Sequence, residues 1–223
     1  MNFTEEQIAF RDSVRRMVER HVAPIAAEID ENDRFPEELI PIYGDMGLLQ
    51  LWVPEAYGGP GANLTMVCIA REEISRVSES CALMAGMNTM FALPLMHFGT
   101  EEQKQGFLPL LAAGRTVTAI ALSEPDCGSD VGGMRTRAVA DGDSYVLNGQ
   151  KQWCTFGSRA DYILVFAKTG EGGGADDISP FIVDAKNSKG LSFGRNERKM
   201  GMKGTINCLL YTSPSPRDLS TYR

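Results

Sequence analysis

The apolar positions change rhythm once along the chain, near residue 115. Before that point they fall at helical spacing. Ile8, Val14, Met17, Val18, Val22 and Ile25 form one stripe of the kind an amphipathic helix buries. Thr4 with Gln7 three residues on predicts a capping box, with Phe3 placed to pack on Ile8 as a hydrophobic staple, and Pro24 is expected to kink or end this helix. A second helix is expected from near Pro36 to Gly47. After the turn-rich "VPEAYGGPGAN", a loop by its Gly and Pro content, Met66, Ile69, Ala70, Ile74 and Val77 mark a third stripe. The uncharged run from Ser80 to Thr100 predicts a fourth helix. Thr100 with Gln103 is a second capping box, opening "TEEQKQGFLPLLAAG", whose Gly114 stands where a helix C-cap glycine belongs. Residues 1–114 are therefore expected to be an all-α domain.

From Arg115 the pattern shortens to strand length. "TVTAIALS", "DYILVFAK" and "SPFIVD" are apolar, β-rich runs bounded by turn residues. "SYVLNGQKQWCT" sets Asn148-Gly149 between two strand-like runs, which predicts a hairpin turn there. "TGEGGGADD" reads as a flexible hairpin loop and not a phosphate loop, because no Gly-Lys-Ser/Thr follows. A helical domain followed by an antiparallel β-barrel-like domain, residues 115–207, makes an α+β chain.

Composition narrows the classes. The chain has 223 residues, 43% hydrophobic and 23% charged, with a formal net charge of −7. That is globular composition without a basic cluster able to track a phosphate backbone, so nucleic acid is not an expected partner. Five cysteines, Cys68, Cys81, Cys127, Cys154 and Cys208, are odd in number and never paired as C-x-x-C, which argues for a reducing compartment over a disulfide framework or zinc site. The N-terminus "MNFTEEQIAFRD" carries charge where a signal peptide needs an apolar run. A cytoplasmic, bacterial protein is the expectation. Asn88, Thr89, Pro94 and His97 interrupt the uncharged run, which favours a buried core helix over a membrane span. His21 and His97 are expected in partly buried structural roles.

Spacing alone supplies little catalytic machinery. "GSDVGG" is not a G-x-S-x-G elbow, and no G-x-G-x-x-G follows a strand. Two segments of the β domain are less ordinary. "SEPDCGSD", Ser123 to Asp130, leaves a strand with a proline turn, a glycine and two hydroxyls, a composition that can aim backbone N–H groups at an anion. "WCT", Trp153 to Thr155, sets a large flat ring beside a hydroxyl; taken alone, a Trp on a sheet is more often core than a cofactor contact. Cys127 and Cys154 lack a local basic neighbour that would lower a thiol pKa, so they are expected to be small packing residues.

Taken together and in order, "AIALSEPDCGSDVGGMRT", "YVLNGQKQWCTFGSRAD" and "KMGMKG" resemble the flavin-binding middle domain of the acyl-CoA dehydrogenase family. "VPEAYGGPG" and "FGTEEQKQGFLPLLAAG" resemble its N-terminal helical domain. The resemblance covers about Phe3 to Ile206. It implies a three-part fold, helical domain, β-barrel and C-terminal four-helix bundle, with FAD between barrel and bundle. It implies that Ile120, Ala121, Leu122, Ser123, Gly128 and Ser129 line the flavin and pyrophosphate, with Ser129 shared between FAD and the acyl-CoA. Trp153 and Cys154 would lie by the flavin, with the Thr155 hydroxyl near its N5. The implied reaction is α,β-dehydrogenation of an acyl-CoA thioester, with electron-transferring flavoprotein as electron acceptor and a homodimer or homotetramer as the assembly. No metal is implied. The family's catalytic glutamate belongs to the C-terminal domain, which this chain is expected to lack, so no base is assigned and the chain by itself is expected to be inactive. Asp126-Cys127 stand where Gly-Ala or Asp-Ala is usual, and Ile120 where some members carry an aromatic ring, which leaves the acyl-chain length unread.

Two alternatives stay open. An acyl-CoA oxidase or flavin monooxygenase relative would share the fold, and a non-catalytic helical adaptor would carry the β module without a cofactor. The chain ends differently from the family. "CLLYTSPSPRD", Cys208 to Asp218, resembles the conceptual translation of a transposase adapter used in preparing sequencing libraries. Residues 208–223 are accordingly expected to be a non-native tail, the other reading being a Pro/Ser-rich linker over Ser213–Pro216.

Overall fold

The structure, a computed structural model, describes residues 3–142, 144–170, 174–205 and 208–212. Its contacts divide the chain into a helical unit, Met1–Thr116 with Arg198–Thr205, and a β unit, Val117–Glu197 with Ile206–Arg223. Arg198–Thr205, which the sequence pattern places with the β domain, thus groups with the helices. The Gly204 N–H donates to Asp33 Oδ1 at 2.6 Å, and Lys203 pairs with Asp30. Gly204 has φ +79°, and a Cβ there would overlap the Arg34 backbone, so glycine is required for this approach.

In the helical unit the local signals hold. Helix α1 (Glu5–Met17) starts on the Thr4–Gln7 capping box and runs on through a π-helical turn, Val18–Val22, before Pro24. The helix expected from near Pro36 to Gly47 is α3 (Leu39–Asp45), and a further short helix that the pattern did not announce, α2 (Ala26–Asn32), precedes it. They are separated where Asp33 turns left-handed. Helix α4 (Leu64–Ser75), capped by Asn63, buries Ile69, Ala70 and Ile74 and packs against α1. Val77 falls beyond its end and is exposed. Glu73 on α4 is buried and held by Arg15 and Arg76 at 2.7 and 3.0 Å. The Arg15 bonds keep its carboxyl below the ordinary range against the opposing effect of burial.

The uncharged run is not one helix. It breaks into α5 (Glu79–Met84) and α6 (Thr89–Phe98), because Asn88 turns inward to donate its amide to the Thr116 carbonyl at 3.0 Å. Among the described residues, Glu79–Phe98 alone has the length and composition to cross a membrane, and 56% of its most apolar window is buried inside the protein. His97 sits exposed on the last turn of α6, not partly buried as expected, because the helix ends there. Helix α7 (Glu101–Ala112) opens on the second capping box and closes at left-handed Gly114. Thr100→Ala removes one half of that box and is expected to cost about 1 kcal/mol, readable as a lower midpoint in chemical denaturation.

The β unit contains β1 (Thr118–Ala121), β2 (Arg137–Asp141), β3 (Ser144–Cys154), β4 (Tyr162–Lys168), β5 (Ile178–Asp184), β6 (Leu191–Asn196) and β7 (Cys208–Thr212). The pairs β2–β3, β4–β5, β3–β7 and β6–β7 are antiparallel, as the patterning predicts, but β1 and the start of β2 run parallel to β4. Alternate residues Ile163, Val165 and Ala167 of β4 meet Phe181 and Val183 of β5 in the core, with Leu147 and Ala119. The loop 169–177 joins β4 to β5 as predicted, residues 171–173 of it lying outside the described residues. Of the expected tail, Cys208–Thr212 is backbone-paired as β7 and residues 213–223 lie outside the described residues.

The Asn148-Gly149 turn prediction fails. Both residues sit inside β3, with Asn148 opposite Arg137, and the β2–β3 hairpin turns instead next to Gly142, at φ +60°. Gly149 serves a different need. A Cβ there would stand 2.7 Å from Thr136 Cα, so the missing side chain admits close backbone approach inside a strand.

Candidate active site: two segments joined by a buried ion pair

Strand β1 delivers the chain to Leu122 and Ser123, and β3 delivers it to Trp153–Thr155. A backbone bond from Gln152 N–H to the Ser123 carbonyl, 2.8 Å, joins the two ends. Lys151 reinforces the join, its ammonium donating to the Leu122 carbonyl at 3.1 Å and to Glu124 Oε1 at 2.8 Å. Glu124 in turn accepts from the Arg135 and Thr136 N–H groups at 2.6 and 2.9 Å. One carboxylate therefore closes the base of the whole 124–136 loop.

Inside the loop, Glu124 and Cys127 exchange backbone bonds of 2.8 and 3.2 Å, and the Cys127 thiol donates to the Asp130 carbonyl. Gly132 is held by Lys168 Nζ at 2.7 Å. Gly128 and Ser129 are left exposed at the outer part of this fixed loop. The Lys151 and Glu124 side chains are only 1% and 5% exposed. Burial alone would raise the Glu124 carboxyl, but the bonds from Lys151, Thr136 and Arg135 outweigh it and hold the group below its ordinary value. Burial pushes the Lys151 ammonium down, with Glu124 offsetting part of that. Burial also pushes the Cys127 thiol up, which suits a packing residue and not a nucleophile.

The second segment is re-aimed by its backbone. Strand alternation would put Trp153 on the buried face with Leu147 and Lys151. Instead Trp153 adopts φ +60°, the register slips between Lys151 and Cys154, and Cys154 takes the buried position while the indole is 51% exposed. Phe156 follows at φ +62°. Two bulky residues in the left-handed region within four positions are costly, and such strain concentrates at functional sites.

Of the residues singled out from sequence, Ile120 and Ala121 lie on β1 opposite Leu164 and Val165, and Ala121 is fully buried. Leu122 and Ser123 stand at the join with β3. Gly128 and Ser129 occupy the loop, and Trp153, Cys154 and Thr155 the re-aimed strand end. The Ser123–Gln152 bond brings the first and last groups together directly. Sequence reasoning missed Glu124 and Lys151. The available signal was a lysine at an inward position of an alternating strand, which requires a buried anion elsewhere.

Family models for the acyl-CoA dehydrogenase N-terminal domain and middle domain match residues 4–115 and 119–213. The chain belongs to the acyl-CoA dehydrogenase family. It is 42% identical over 207 residues to the probable acyl-CoA dehydrogenase FadE25 of Mycobacterium tuberculosis, covering 93% of this chain and 53% of that one. It is 44% identical over 211 residues to the cyclohex-1-ene-1-carbonyl-CoA dehydrogenase of Geobacter metallireducens, covering 94% and 55%. The crystal structure of an acyl-CoA dehydrogenase from Geobacillus kaustophilus superposes with a TM-score of 0.88 at 33% identity, covering 95% of this chain and 56% of that one. The chain spans about half the length of the relatives it matches. The acyl-CoA dehydrogenase helical and β architecture, expected from the motifs, is thus the one observed.

Proposed function

We propose that this family member carries out FAD-dependent α,β-dehydrogenation of an acyl-CoA thioester to the trans-2-enoyl-CoA. The observation that carries the reading is the re-aimed Trp153. A large flat ring is turned outward at a backbone cost, beside a hydroxyl residue, Thr155, and one hydrogen bond from the Ser123 segment. That arrangement suits a flat heteroaromatic cofactor: an indole offers stacking area, and the hydroxyls of Thr155 and Ser123 can bond its ring edge. Bound FAD would supply the two-electron acceptor that no side chain provides. Ile120, Ala121 and Leu122 would form the wall beside it, Gly128 and Ser129 would offer N–H and hydroxyl donors to its phosphates, and Cys154 would fill the strand behind Trp153. Ser129, exposed at the loop, would also meet the acyl-CoA.

Cytoplasmic location, electron-transferring flavoprotein as the acceptor of electrons, and a homodimer or homotetramer belong to the same proposal. By the same reading the 223 residues alone turn over no acyl-CoA, because the glutamate base belongs to a further C-terminal domain.

The test is made on the full-length protein. It is expected to purify yellow with bound FAD and to bleach anaerobically on addition of an acyl-CoA. Protein that stays colourless after incubation with FAD would favour the adaptor reading, and rapid reoxidation of the reduced flavin by oxygen would favour an oxidase.

A further inference from the structure

We propose that Glu124 and Lys151 are positioning residues for the flavin, tying the loop that carries Gly128 and Ser129 to the strand end that carries Trp153 and Thr155. The inference rests on the FAD reading above and deepens it. Lys151 precedes Trp153 by two residues, so its three donors are anchored just before the backbone turns left-handed. From there it holds the Leu122 carbonyl and the Glu124 carboxylate. Glu124 extends the same constraint to Arg135 and Thr136 at the far end of the loop.

A buried ion pair contributes little net stability compared with an apolar pair of the same volume. Its retention here is accounted for by geometry: it fixes two segments 27 residues apart through directional bonds that an apolar contact cannot supply. Both residues act through the loop and strand end, and neither is proposed to touch the reacting atoms.

The experiment uses the full-length protein and the double variant E124Q/K151M. The amide that Glu124→Gln introduces has one acceptor oxygen, so it keeps one of the bonds from the Arg135 and Thr136 N–H groups, which reach different carboxylate oxygens. No unpaired buried charge remains, and the variant is expected to fold. It loses the tie from Lys151 to Leu122 and Glu124. FAD affinity is expected to fall about tenfold to hundredfold, the scale of charge-assisted hydrogen bonds, with a shifted visible spectrum of the bound flavin. A merely structural pair would lower the unfolding midpoint and leave both readouts unchanged. FAD affinity within about twofold and an unaltered spectrum would therefore overturn the proposal while leaving the FAD reading intact. Wild-type protein that takes up no FAD would overturn both. If the double variant does not fold, E124D, which keeps the charge and withdraws it by one methylene, is read in the same way with the same two outcomes.

Discussion

Lys151→Met alone is expected to destabilise the protein by about 3–5 kcal/mol at neutral pH, the scale for removing one partner of a buried ion pair. Methionine fills most of the lysine's volume, so packing changes little. The cost arises because Glu124 keeps its charge in a site 5% exposed, with neutral donors of Arg135 and Thr136 but no cation to balance it. The double variant E124Q/K151M should recover part of this loss, since it leaves no buried charge behind, although one backbone N–H loses its acceptor. The single variant also has a pH signature. In the wild type Glu124 has a folded pKa below its ordinary 4.5, so its contribution to stability is present above the unfolded pKa and is lost as pH falls through the folded one. Removing Lys151 deletes the largest influence opposing burial, so the folded pKa must rise relative to the wild type. As pH falls through that raised value, the variant takes up a proton the wild type does not, and the penalty shrinks. Urea denaturation of both proteins from neutral pH to about pH 4 should show the two curves converging toward acid. A gap that stays constant or widens would mean that Glu124 is not the residue left stranded.

What was legible in the sequence divides by range. The capping boxes at Thr4 and Thr100 and the left-handed stop at Gly114 involve partners within a few residues, and each formed as read. Strands β1, β4 and β5 were visible as short apolar runs and β3 was read as two strands about a turn, whereas β2, β6 and β7 were not read and neither was the strand order. The parallel pairing of β1 with β4 joins residues 44 apart, Thr118 with Tyr162, and no local pattern encodes it. Asn148-Gly149 misled because a glycine that frees the backbone for a turn and one that admits a neighbouring backbone look the same in sequence. Only the presence of Thr136 beside it decides between them. The site was legible as two motifs through family resemblance. Their physical connection was not, because the Lys151–Glu124 bond depends on the register of β3 against the chain leaving β1. The outward turn of Trp153 was equally hidden, since alternation predicts the opposite face.

Gly44→Ala carries the second large effect, and here two opposing terms decide the sign. Gly44 lies within α3, where alanine is intrinsically favoured over glycine by about 1 kcal/mol. On an exposed helix face the substitution would stabilise. At this position, however, an added Cβ would overlap the Gly114 carbonyl oxygen and stand 2.9 Å from its carbon. The far side cannot give way easily. Gly114 is the left-handed cap of α7 at φ +67°, its own Cα side faces Gly44, and its carbonyl accepts from Arg115 at 3.0 Å. The Gly44 carbonyl is also fixed, by the Gln50 amide at 2.9 Å. Relief therefore requires α3 and the α7 cap to separate, disturbing buried Leu39 and Tyr43 on α3 and Leu111 on α7. Overpacking of this kind costs about 1–3 kcal/mol and more where backbone must move. The clash exceeds the gain in helix propensity, so a net loss of about 2 kcal/mol is expected. Far-UV circular dichroism during urea unfolding measures it. An unchanged or raised midpoint would show that the two glycines do not meet as closely as the structure has them.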